Sequence, residues 1–502
     1  MKRTAFLAIV LAATVLVSMR DADAGQVPGA VSDPDVPISH RDRVYSAEQF
    51  SNTVSVTDPV DNKLLGVIRL GDPLPASFSP LYRGQLLVHG LGFSPDHRTL
   101  AVVAIGSNAV NFIDTATNTV KHVTYLGRSP HEAFYTPDGK EIWVVVRGEN
   151  YVAVLDGGTY QEKARIVVAN GPGMTIFSPD GKYGYVCSSF TPETAVISVA
   201  DHRIVGRVKQ ASPFCPNIAA TPDGSQVWLT LKDSGKVQVF DAQPPFAILK
   251  TLDTGPITNH VNIVRNASGT FAYVTIGGTN EVQVYRTSDF LKVATIPVGQ
   301  LPHGIWPSGD GTRVYVGLEN EDRVAAIDTL TNTVIATSPI GQAPQALVYV
   351  PNAIPPMRIH DNTAMTMMPE VPERAGTENL QPLGVGALST QLWLAMPGQK
   401  PDKAPTSVSL SDQGLVQVLE ASVTGLEPRK TYVLALANEA SGGGALQPLQ
   451  GFMTNPAGAA VVNAIGPIRQ VVRGENQMPR RYLVIAPGTV ESLGAPVQVQ
   501  TE

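Results

Sequence analysis

The sequence predicts an all-β protein, a seven-bladed β-propeller followed by a small β-sandwich, and three observations support this prediction. A turn of the Ser-Pro-Asp-Gly type recurs every 42 to 45 residues between Asp96 and Asn352. Each repeat contains four short segments rich in Val, Ile, Tyr and Trp, which favour strands. A period of this length with four strands per unit is typical of propeller blades.

Each repeat unit is defined by its turn residue, which is an aspartate in five of the seven copies. Proline fixes φ in this turn and glycine accepts a positive φ, so the motif favours a reverse turn between two strands. A second strand such as EIWVVV, a third such as AVNFID and an outer strand such as TVIATSPIG complete the unit. The turn residues are Asp96, Asp138, Asp180, Asp223, Ser268, Asp310 and Asn352.

The two ends of the repeat region predict the seventh blade. Near the N-terminus, DRVYSAEQF, NTVSVTD and NKLLGVIRLG supply second, third and fourth strands without a first. PQALVYVPN, at residues 344–352, supplies a first strand without the others. Joining them closes the ring and leaves no open sheet edge between the first and last blades. The predicted propeller therefore spans residues 41–352.

The units resemble the YVTN-repeat β-propellers, whose repeat combines a Ser-Pro-Asp-Gly turn with a Tyr-Val strand and a Val-x-Val-Ile-Asp strand. The matching stretches here include SPDGKYGYV and AVNFIDTATNTV. Such propellers occur in surface proteins, periplasmic binding proteins and electron-transfer domains. Nitrous oxide reductase is similar in architecture and holds copper with histidines at the centre of a seven-bladed propeller. The resemblance implies a fold and leaves the function open.

A second domain follows the repeats. Residues 353–384 are rich in Pro, Met and polar residues, and we interpret them as a linker. Residues 385–502 contain seven or eight short strand-like segments without the 42-residue period, which predicts a β-sandwich. The stretch VTGLEPRKTYVLAL resembles fibronectin type III and immunoglobulin-like domains. The resemblance implies that the Tyr432 hydroxyl bonds back to the upstream backbone.

The first 24 residues have the organisation of a secretory signal peptide. Lys2 and Arg3 precede an apolar run over residues 4–18, and a small-residue pattern ends at Ala24. The run is shorter than the roughly 20 residues that a membrane span needs. We expect cleavage near Ala24 and a mature chain without a transmembrane segment, located in the periplasm or outside the cell.

Composition bears on the partners and on the two cysteines. Charged residues make up 16% of the chain and the net charge is −6, which argues against nucleic acid or an anionic membrane as a partner. A small ligand or a protein remains as the expected partner.

Cys187 and Cys215 fall at the same end of adjacent predicted blades. They either form a disulfide, if their Cα atoms lie within about 7 Å, or stay as buried thiols.

Histidines recur at the predicted entrance of the innermost strands, beside the central channel. Counting back seven residues from the turn residue reaches a histidine in blades one, two and six. In blade five the count reaches Val261, one residue after a histidine, and in blade four it reaches Pro216. The residues at or next to this position are His89, His131, Gly173, Asn217, His260, His303 and Gln345.

These positions predict a candidate ligand-binding mouth. Four of the nine histidines meet there, and polar residues that follow the second strands share the same face. A mixed polar rim of this kind suits a small polar ligand. The alternative is that the histidines only cap strands and were copied by duplication. The rim residues are Arg147, Glu149, Lys232, Glu319 and Asn320, and the candidate ligand-binding set is His89, His131, Arg147, Asn217, His260, His303 and Gln345.

Metal binding is a second hypothesis for the same mouth. Neutral imidazoles of His89, His131, His260 and His303 could hold copper or another transition metal. The linker adds soft donors, because Met357, Met365, Met367 and Met368 surround His360. The alternative for the linker is a tether that binds no metal.

The sequence favours a non-catalytic scaffold or ligand-binding protein. It contains no Gly-x-Ser-x-Gly elbow, phosphate-binding glycine loop, His-Glu-x-x-His motif or haem-attachment motif. A lactone or ester hydrolase remains an alternative, because some propellers hydrolyse lactones with His, Glu and Arg at this mouth. His131, Glu132 and Arg147 would take those roles.

Overall fold

A computed structural model describes residues 37–72, 82, 84–356, 358–360, 365–367, 375–384, 389–399, 404–413, 416–466, 468, 472 and 479–501. The predicted signal peptide lies outside the described residues, as do Met357 and Met368 of the linker. No described helix is long and apolar enough to cross a membrane.

The propeller begins with three strands of the seventh blade and continues with six complete blades. The first three strands are β1 (Arg43–Glu48), β2 (Thr53–Asp58) and β3 (Lys63–Arg69). Each of the next six blades is a four-stranded antiparallel sheet of consecutive strands.

Blades one to three contain β4 (Val88–Phe93), β5 (Thr99–Ala104), β6 (Ala109–Asp114), β7 (Thr119–Tyr125), β8 (Pro130–Tyr135), β9 (Glu141–Val146), β10 (Tyr151–Asp156), β11 (Glu162–Val167), β12 (Pro172–Phe177), β13 (Tyr183–Ser188), β14 (Glu193–Ser198) and β15 (Ile204–Lys209). Blades four to six contain β16 (Ile218–Ala220), β17 (Gln226–Leu231), β18 (Lys236–Asp241), β19 (Ile248–Asp253), β20 (Thr258–Asn266), β21 (Gly269–Ile276), β22 (Glu281–Arg286), β23 (Lys292–Pro297), β24 (Pro302–Pro307), β25 (Arg313–Leu318), β26 (Arg323–Asp328) and β27 (Thr333–Pro339).

The ring closes as the sequence predicts. Strand β28 (Pro344–Val350) pairs antiparallel with β1, with Tyr45 opposite Val348. The seventh sheet therefore has the order β28-β1-β2-β3 and joins the two ends of the propeller. This pairing confirms the seven-bladed all-β fold.

The Pro-Asp-Gly turns form because each supplies its own hydrogen bonds. In blade three, Ser178 Oγ donates to Asp180 Oδ1 at 2.7 Å, and the backbone N–H of Lys182 donates to the same oxygen at 3.1 Å. Gly181 follows with φ of 69°, a conformation that costs glycine little. The repeated motif thus fixes the connection between the first and second strands of each blade.

Burial follows the position of a strand within its blade. The innermost strand β8 is buried throughout, whereas the outer strand β11 alternates between exposed residues and residues that are partly or, at Ile166, fully buried. Aromatic residues on second strands fill the space between neighbouring blades. Tyr273 in blade five donates its hydroxyl to Asn332 Oδ1 in blade six at 2.6 Å, and Tyr185 in blade three donates to the Ala242 carbonyl in blade four at 2.7 Å. Blade packing thus combines apolar contact with satisfied polar groups.

The segment predicted as a linker contains structure of its own. Strands β29 (Arg358–His360) and β30 (Met365–Met367) pair as a short hairpin. Further along, the segment lies against the propeller. Asn118 Nδ2 donates to the Gly376 carbonyl at 2.6 Å, and Gln381 pairs with Val67 of β3.

The C-terminal domain, residues 389–501, is a single curled sheet of nine strands. Its order is β35-β34-β37-β39-β31-β32-β33-β36, with β38 paired to β37, and its end strands β35 and β36 lie close together, so the sheet is nearly closed. Tyr432 lies in the core of this sheet and its hydroxyl accepts from the Glu427 N–H at 3.3 Å. The strands are β31 (Ser389–Ala395), β32 (Thr406–Asp412), β33 (Gln417–Val423), β34 (Thr431–Ala437), β35 (Gln447–Met453), β36 (Ala460–Gly466), β37 (Tyr482–Thr489), β38 (Ser492–Leu493) and β39 (Gln498–Gln500).

Candidate ligand-binding site

The C-terminal domain lies on the propeller face that carries the histidines. Asn320, after β25, donates its amide to Ser407 Oγ at 3.1 Å, and Gln391 Nε2 donates to the Asn320 carbonyl at 2.7 Å. Gln413 Nε2 donates to the Phe50 carbonyl of the seventh blade at 2.8 Å. Asn320 is fully buried by these contacts. No repeat position or motif in the sequence predicts this covering of the mouth.

A cavity of about 470 Å³ lies between the propeller mouth and the C-terminal domain. The propeller contributes histidines, two cations and the carboxylates of Glu319 and Asp233, and the C-terminal domain contributes a third carboxyl group from β33 and apolar side chains from the β35–β36 end. The residues used below are His89, His131, Arg147, Lys232, Glu319 and Glu420.

Backbone irregularities direct the histidines toward the channel. The pairing of β8 with β9 shifts register between Pro130 and Glu132, so His131 lies in a bulge. The β4–β5 and β24–β25 pairings shift around His89 and His303 in the same way. Bulges re-aim side chains and are common beside functional sites.

The residue two positions before each of these histidines has a positive φ. This left-handed residue marks the equivalent position from one blade to the next. Ser129 has φ of 52° and Leu301 has φ of 50°, values that are uncommon for residues other than glycine. In blade five this residue is Ile257, so the equivalent position is Asn259 and not Val261. His260 is the next residue along. The pairs are Leu87 with His89, Ser129 with His131, Ile257 with Asn259, Leu301 with His303 and Ala343 with Gln345.

The structure brings the four histidines into one chain of ring contacts. The ring centroids of His131 and His89 are 4.4 Å apart, those of His89 and His303 are 6.5 Å apart, and those of His303 and His260 are 4.9 Å apart. His131 Nδ1 donates to the Gly173 carbonyl at 2.8 Å, which leaves Nε2 with its lone pair. His303 Nδ1 lies 2.6 Å from Glu319 Oε2.

Burial keeps these imidazoles neutral. It lowers the pKa of His89 to about 3 and lowers the pKa of His131 and His260 well below the ordinary value, with neighbouring histidines adding to the effect. Burial also lowers the pKa of His303, although Glu319 opposes the shift. Neutral imidazoles can accept a hydrogen bond or bind a metal ion.

Two carboxyl groups meet at the boundary between the domains. Burial would raise the pKa of Glu319, but His303 above all, followed by Lys232 and Gln345, holds this pKa below its ordinary value. Burial and the neighbouring Glu319 raise the pKa of Glu420 well above its ordinary value. Glu420 therefore keeps its proton beside the ionised Glu319. Gln345 Nε2 donates to Glu319 Oε1 at 2.5 Å, so both oxygens of Glu319 are engaged.

Two cations line the same cavity beside aromatic rings. The Arg147 guanidinium carbon lies 5.0 Å from the centroid of the Phe214 ring and 5.6 Å from that of Phe190, and Lys232 Nζ lies 5.9 Å from that of Phe214. Burial lowers the pKa of Arg147 to about 10, which still leaves it charged at neutral pH. Cation–π contacts hold both side chains without using their N–H donors.

Of the remaining predicted residues, Asn217 has structural partners on both sides of its amide group. Asn217 Oδ1 accepts from the Val261 N–H at 2.9 Å, and its Nδ2 lies 2.9 Å from Met174 Sδ. Asn217 and His260 line a second cavity of about 10 Å³, which also includes Glu132. The hydrolase hypothesis requires Glu132 to line the large cavity together with His131 and Arg147. Glu132 does not line that cavity.

Cys187 and Cys215 form a disulfide between blades three and four, with their Cα atoms 6.0 Å apart. Cys187 lies in β13 and Cys215 immediately precedes Pro216 at the cavity wall. Phe214, whose ring contacts both cavity cations, is next to the bridge. Sequence reasoning placed the two thiols at the same end of adjacent blades but did not identify Phe214 or Glu420, which lie outside the repeat positions.

Comparisons with known proteins support the fold alone. No protein-family model matches the chain, and no curated protein matches it. Among solved structures, hydrazine synthase from Kuenenia stuttgartiensis is 20% identical and covers 55% of this chain and 94% of its own, with a TM-score of 0.48. A functionally unknown protein from Desulfotomaculum acetoxidans is 14% identical and covers 61% of this chain and 98% of its own, with a TM-score of 0.50. The likeness to the Desulfotomaculum acetoxidans protein shows similarity of fold alone, and the function must be argued from the site.

Proposed function

We propose that the protein is an exported, non-catalytic binding protein of the YVTN-repeat type that holds a small anionic ligand between its propeller and its C-terminal domain. The ligand carries a carboxylate or a similar group of hydrogen-bond acceptors. The observation that carries the proposal is the surplus of donors in the 470 Å³ cavity.

The surplus follows from the partners of the charged groups. Arg147 Nε is buried and has no hydrogen-bond partner among the described residues. The part of the chain that the structure describes contains no ion pair within 4.0 Å between Arg147 or Lys232 and a carboxylate. Asp233 attracts both cations only at longer range. Both oxygens of Glu319 already have partners. A bound ligand with acceptor atoms would therefore supply the missing hydrogen-bond partners of Arg147 and Lys232.

The shape of the site supports a small ligand. A cavity of this size lies within the range of small-molecule sites, and the C-terminal domain encloses it with buried hydrogen bonds. The Arg147 guanidinium presents several donors in one plane, which suits a planar carboxylate. The lowered pKa values of His89 and His131 remove two further positive charges, so Arg147 and Lys232 supply the attraction.

Export and family membership belong to the same proposal. The basic start at Lys2, the apolar run over residues 4–18 and the small residues before Gly25 support a signal peptide. The Cys187–Cys215 disulfide supports an oxidising compartment, because such bonds persist there. The turn chemistry at Asp180 supports the YVTN-type repeat.

Calorimetric titration of the purified protein, with a metal chelator present, tests the binding function. The probes are acetate, succinate, citrate and inorganic phosphate. We expect at least one of them to bind, and we expect Arg147→Gln to weaken its binding by at least about tenfold, since a hydrogen bond to a charged group contributes about 1.5–3 kcal/mol.

Arg165→Gln is the matched control. Arg165 also lies over an aromatic ring, that of Tyr151 at 4.4 Å, but it is on the outer strand β11 and away from the cavity. Its substitution should leave the affinity unchanged. Equal affinity of Arg147→Gln and the unchanged protein, or no binding of any probe, would contradict the proposal.

A further inference from the structure

We propose that His89, His131 and Glu132 form a binding site for one divalent transition-metal ion of the zinc or copper class. His89 and His131 line the large cavity and Glu132 lines the small one, so the site lies between the two cavities, and the proposal is independent of the anionic ligand argued above. It also differs from the four-histidine set that the sequence suggested, because it replaces His260 and His303 with a carboxylate.

The donor atoms converge in the required way. One donor atom from each of His89, His131 and Glu132 lies within 4.8 Å of the other two, and no other described group of three or more such residues does so. Zinc–nitrogen bonds of about 2.0–2.1 Å would place tetrahedral donors about 3.3 Å apart. Side-chain rotations that shorten the separations between donors by at most about 1.5 Å would therefore complete the contacts.

Buried donors without partners support an ion at this place. The exposed fractions of His89, His131 and Glu132 are 6%, 3% and 2%. His89 Nδ1 and Glu132 Oε1 are buried and make no hydrogen bond. Buried polar atoms nearly always have partners, since leaving one unpaired costs about 1–3 kcal/mol. A bound ion would satisfy both atoms at once.

Backbone groups around the site orient the metal-binding side chains, as they do in known metal sites. His131 Nδ1 donates to the Gly173 carbonyl, which fixes the tautomer and leaves Nε2 free to bind. The Leu91 backbone N–H favours the ionised form of the Glu132 carboxyl group, against the burial that raises its pKa to about 8. Metal-binding histidines commonly donate their other N–H to a backbone carbonyl or a carboxylate in this manner.

Gly90 permits the close approach of blades one and two at this site. A Cβ atom at residue 90 would lie 2.1 Å from the His131 carbonyl oxygen and 2.7 Å from Glu132 Oε2. Only glycine therefore fits between the two first strands. Two imidazoles and one carboxylate suit zinc or copper, and the cavity side leaves room for water or an anion as a further ligand.

Equilibrium dialysis of the purified protein against Zn²⁺, followed by elemental analysis, tests the site. We expect one zinc ion per chain. His89→Gln and Glu132→Gln should each lower the affinity by at least about tenfold. The second variant keeps the shape of the side chain and an acceptor for the Leu91 N–H, so it guards against misfolding. Cu²⁺ in place of Zn²⁺ should give an electron paramagnetic resonance spectrum with nitrogen hyperfine structure, which His89→Gln alters.

His122→Gln is the control, because His122 lies on the outer strand β7 away from the cavity. It should bind zinc like the unchanged protein. Failure of the unchanged protein to bind zinc or copper would overturn the proposal. So would equal affinity of the folded Glu132→Gln variant. Neither result would affect the anion titration, which is run with chelator.

Discussion

Glu420 of the C-terminal domain keeps its proton beside the ionised Glu319 of the sixth blade, so the covering domain contributes a buried carboxylic acid to the propeller mouth. The pair explains why the interface accepts two carboxyl groups. One is ionised and held by His303 and Gln345, and the other keeps its proton. The two domains therefore share one polar network at the cavity.

Glu420→Gln should preserve this network, whereas Glu420→Ala should disrupt it. The amide of Gln can still donate to Glu319, but Ala leaves an acceptor without its partner. We expect Ala to lower the free energy of unfolding by about 1–3 kcal/mol and Gln to change it by much less. Urea titration measures both. Glu427→Ala, at a surface ion pair, is the control and should have little effect. Equal losses for Gln and Ala would contradict the assignment of the proton.

Glu48 should make stability depend on pH. It is fully buried, and burial, with a smaller contribution from Asp322, raises its pKa to about 8 against the hydrogen bonds from Thr53 and Ser55. The folded chain therefore keeps a proton that the unfolded chain releases near pH 4.3. Stability from this group is present at low pH and is lost as the pH rises from about 4.5 to about 8. Melting temperatures across this range should fall less steeply for Glu48→Gln. Parallel curves would show that Glu48 does not retain the proton.

Removal of the disulfide should destabilise the propeller between blades three and four. The bridge joins residues 28 apart in sequence, and closing a loop of this length contributes about 3.6 kcal/mol in the chain-entropy account. The Cys187→Ala, Cys215→Ala double variant should melt at a lower temperature. A reductant should lower the melting temperature of the unchanged protein toward that value and leave the double variant unaffected. A double variant as stable as the oxidised protein would refute the expectation.

Gly90→Ala should damage the mouth far more than a glycine substitution at the outside of a blade. The new Cβ would meet the His131 carbonyl at 2.1 Å, so the first two blades would have to separate. We expect a loss of about 1–3 kcal/mol or more, as in overpacked cores. Gly158→Ala, whose Cβ meets only Asp156 Oδ1 at 3.6 Å, should change stability by about 0.5 kcal/mol at most. Similar melting temperatures for the two variants would contradict the close approach seen here.

The repeat made the propeller predictable from sequence because its signals are local. The spacing of Asp96, Asp138 and Asp180 reports the blade length, and the side-chain hydrogen bonds of each turn depend on neighbours within a few residues. The seventh blade could be predicted because β1 and β28 were the only complementary pieces left over. Counting failed in blade five, where Asn259 and not Val261 occupies the equivalent position, since the left-handed Ile257 defines the register.

The covering of the mouth could not be predicted in the same way. Asn320 had the sequence properties of a solvated loop residue, yet Ser407 and Gln391 bury it. Contacts of this kind depend on how two folded surfaces meet, and no periodic pattern records them. The sequence therefore does not predict that Glu420 lies beside Glu319, because the two residues are 101 positions apart and in different domains.

The pairing of β1 with β28 also sets an order in time. Residues 43–48 leave the ribosome early and lack their partner until residues 344–350 have been made, so the seventh blade forms after the other six. The strands of the C-terminal domain emerge later still. Closure of the ring, unlike the pairing of neighbouring strands within a blade, therefore requires the whole repeat region to be present.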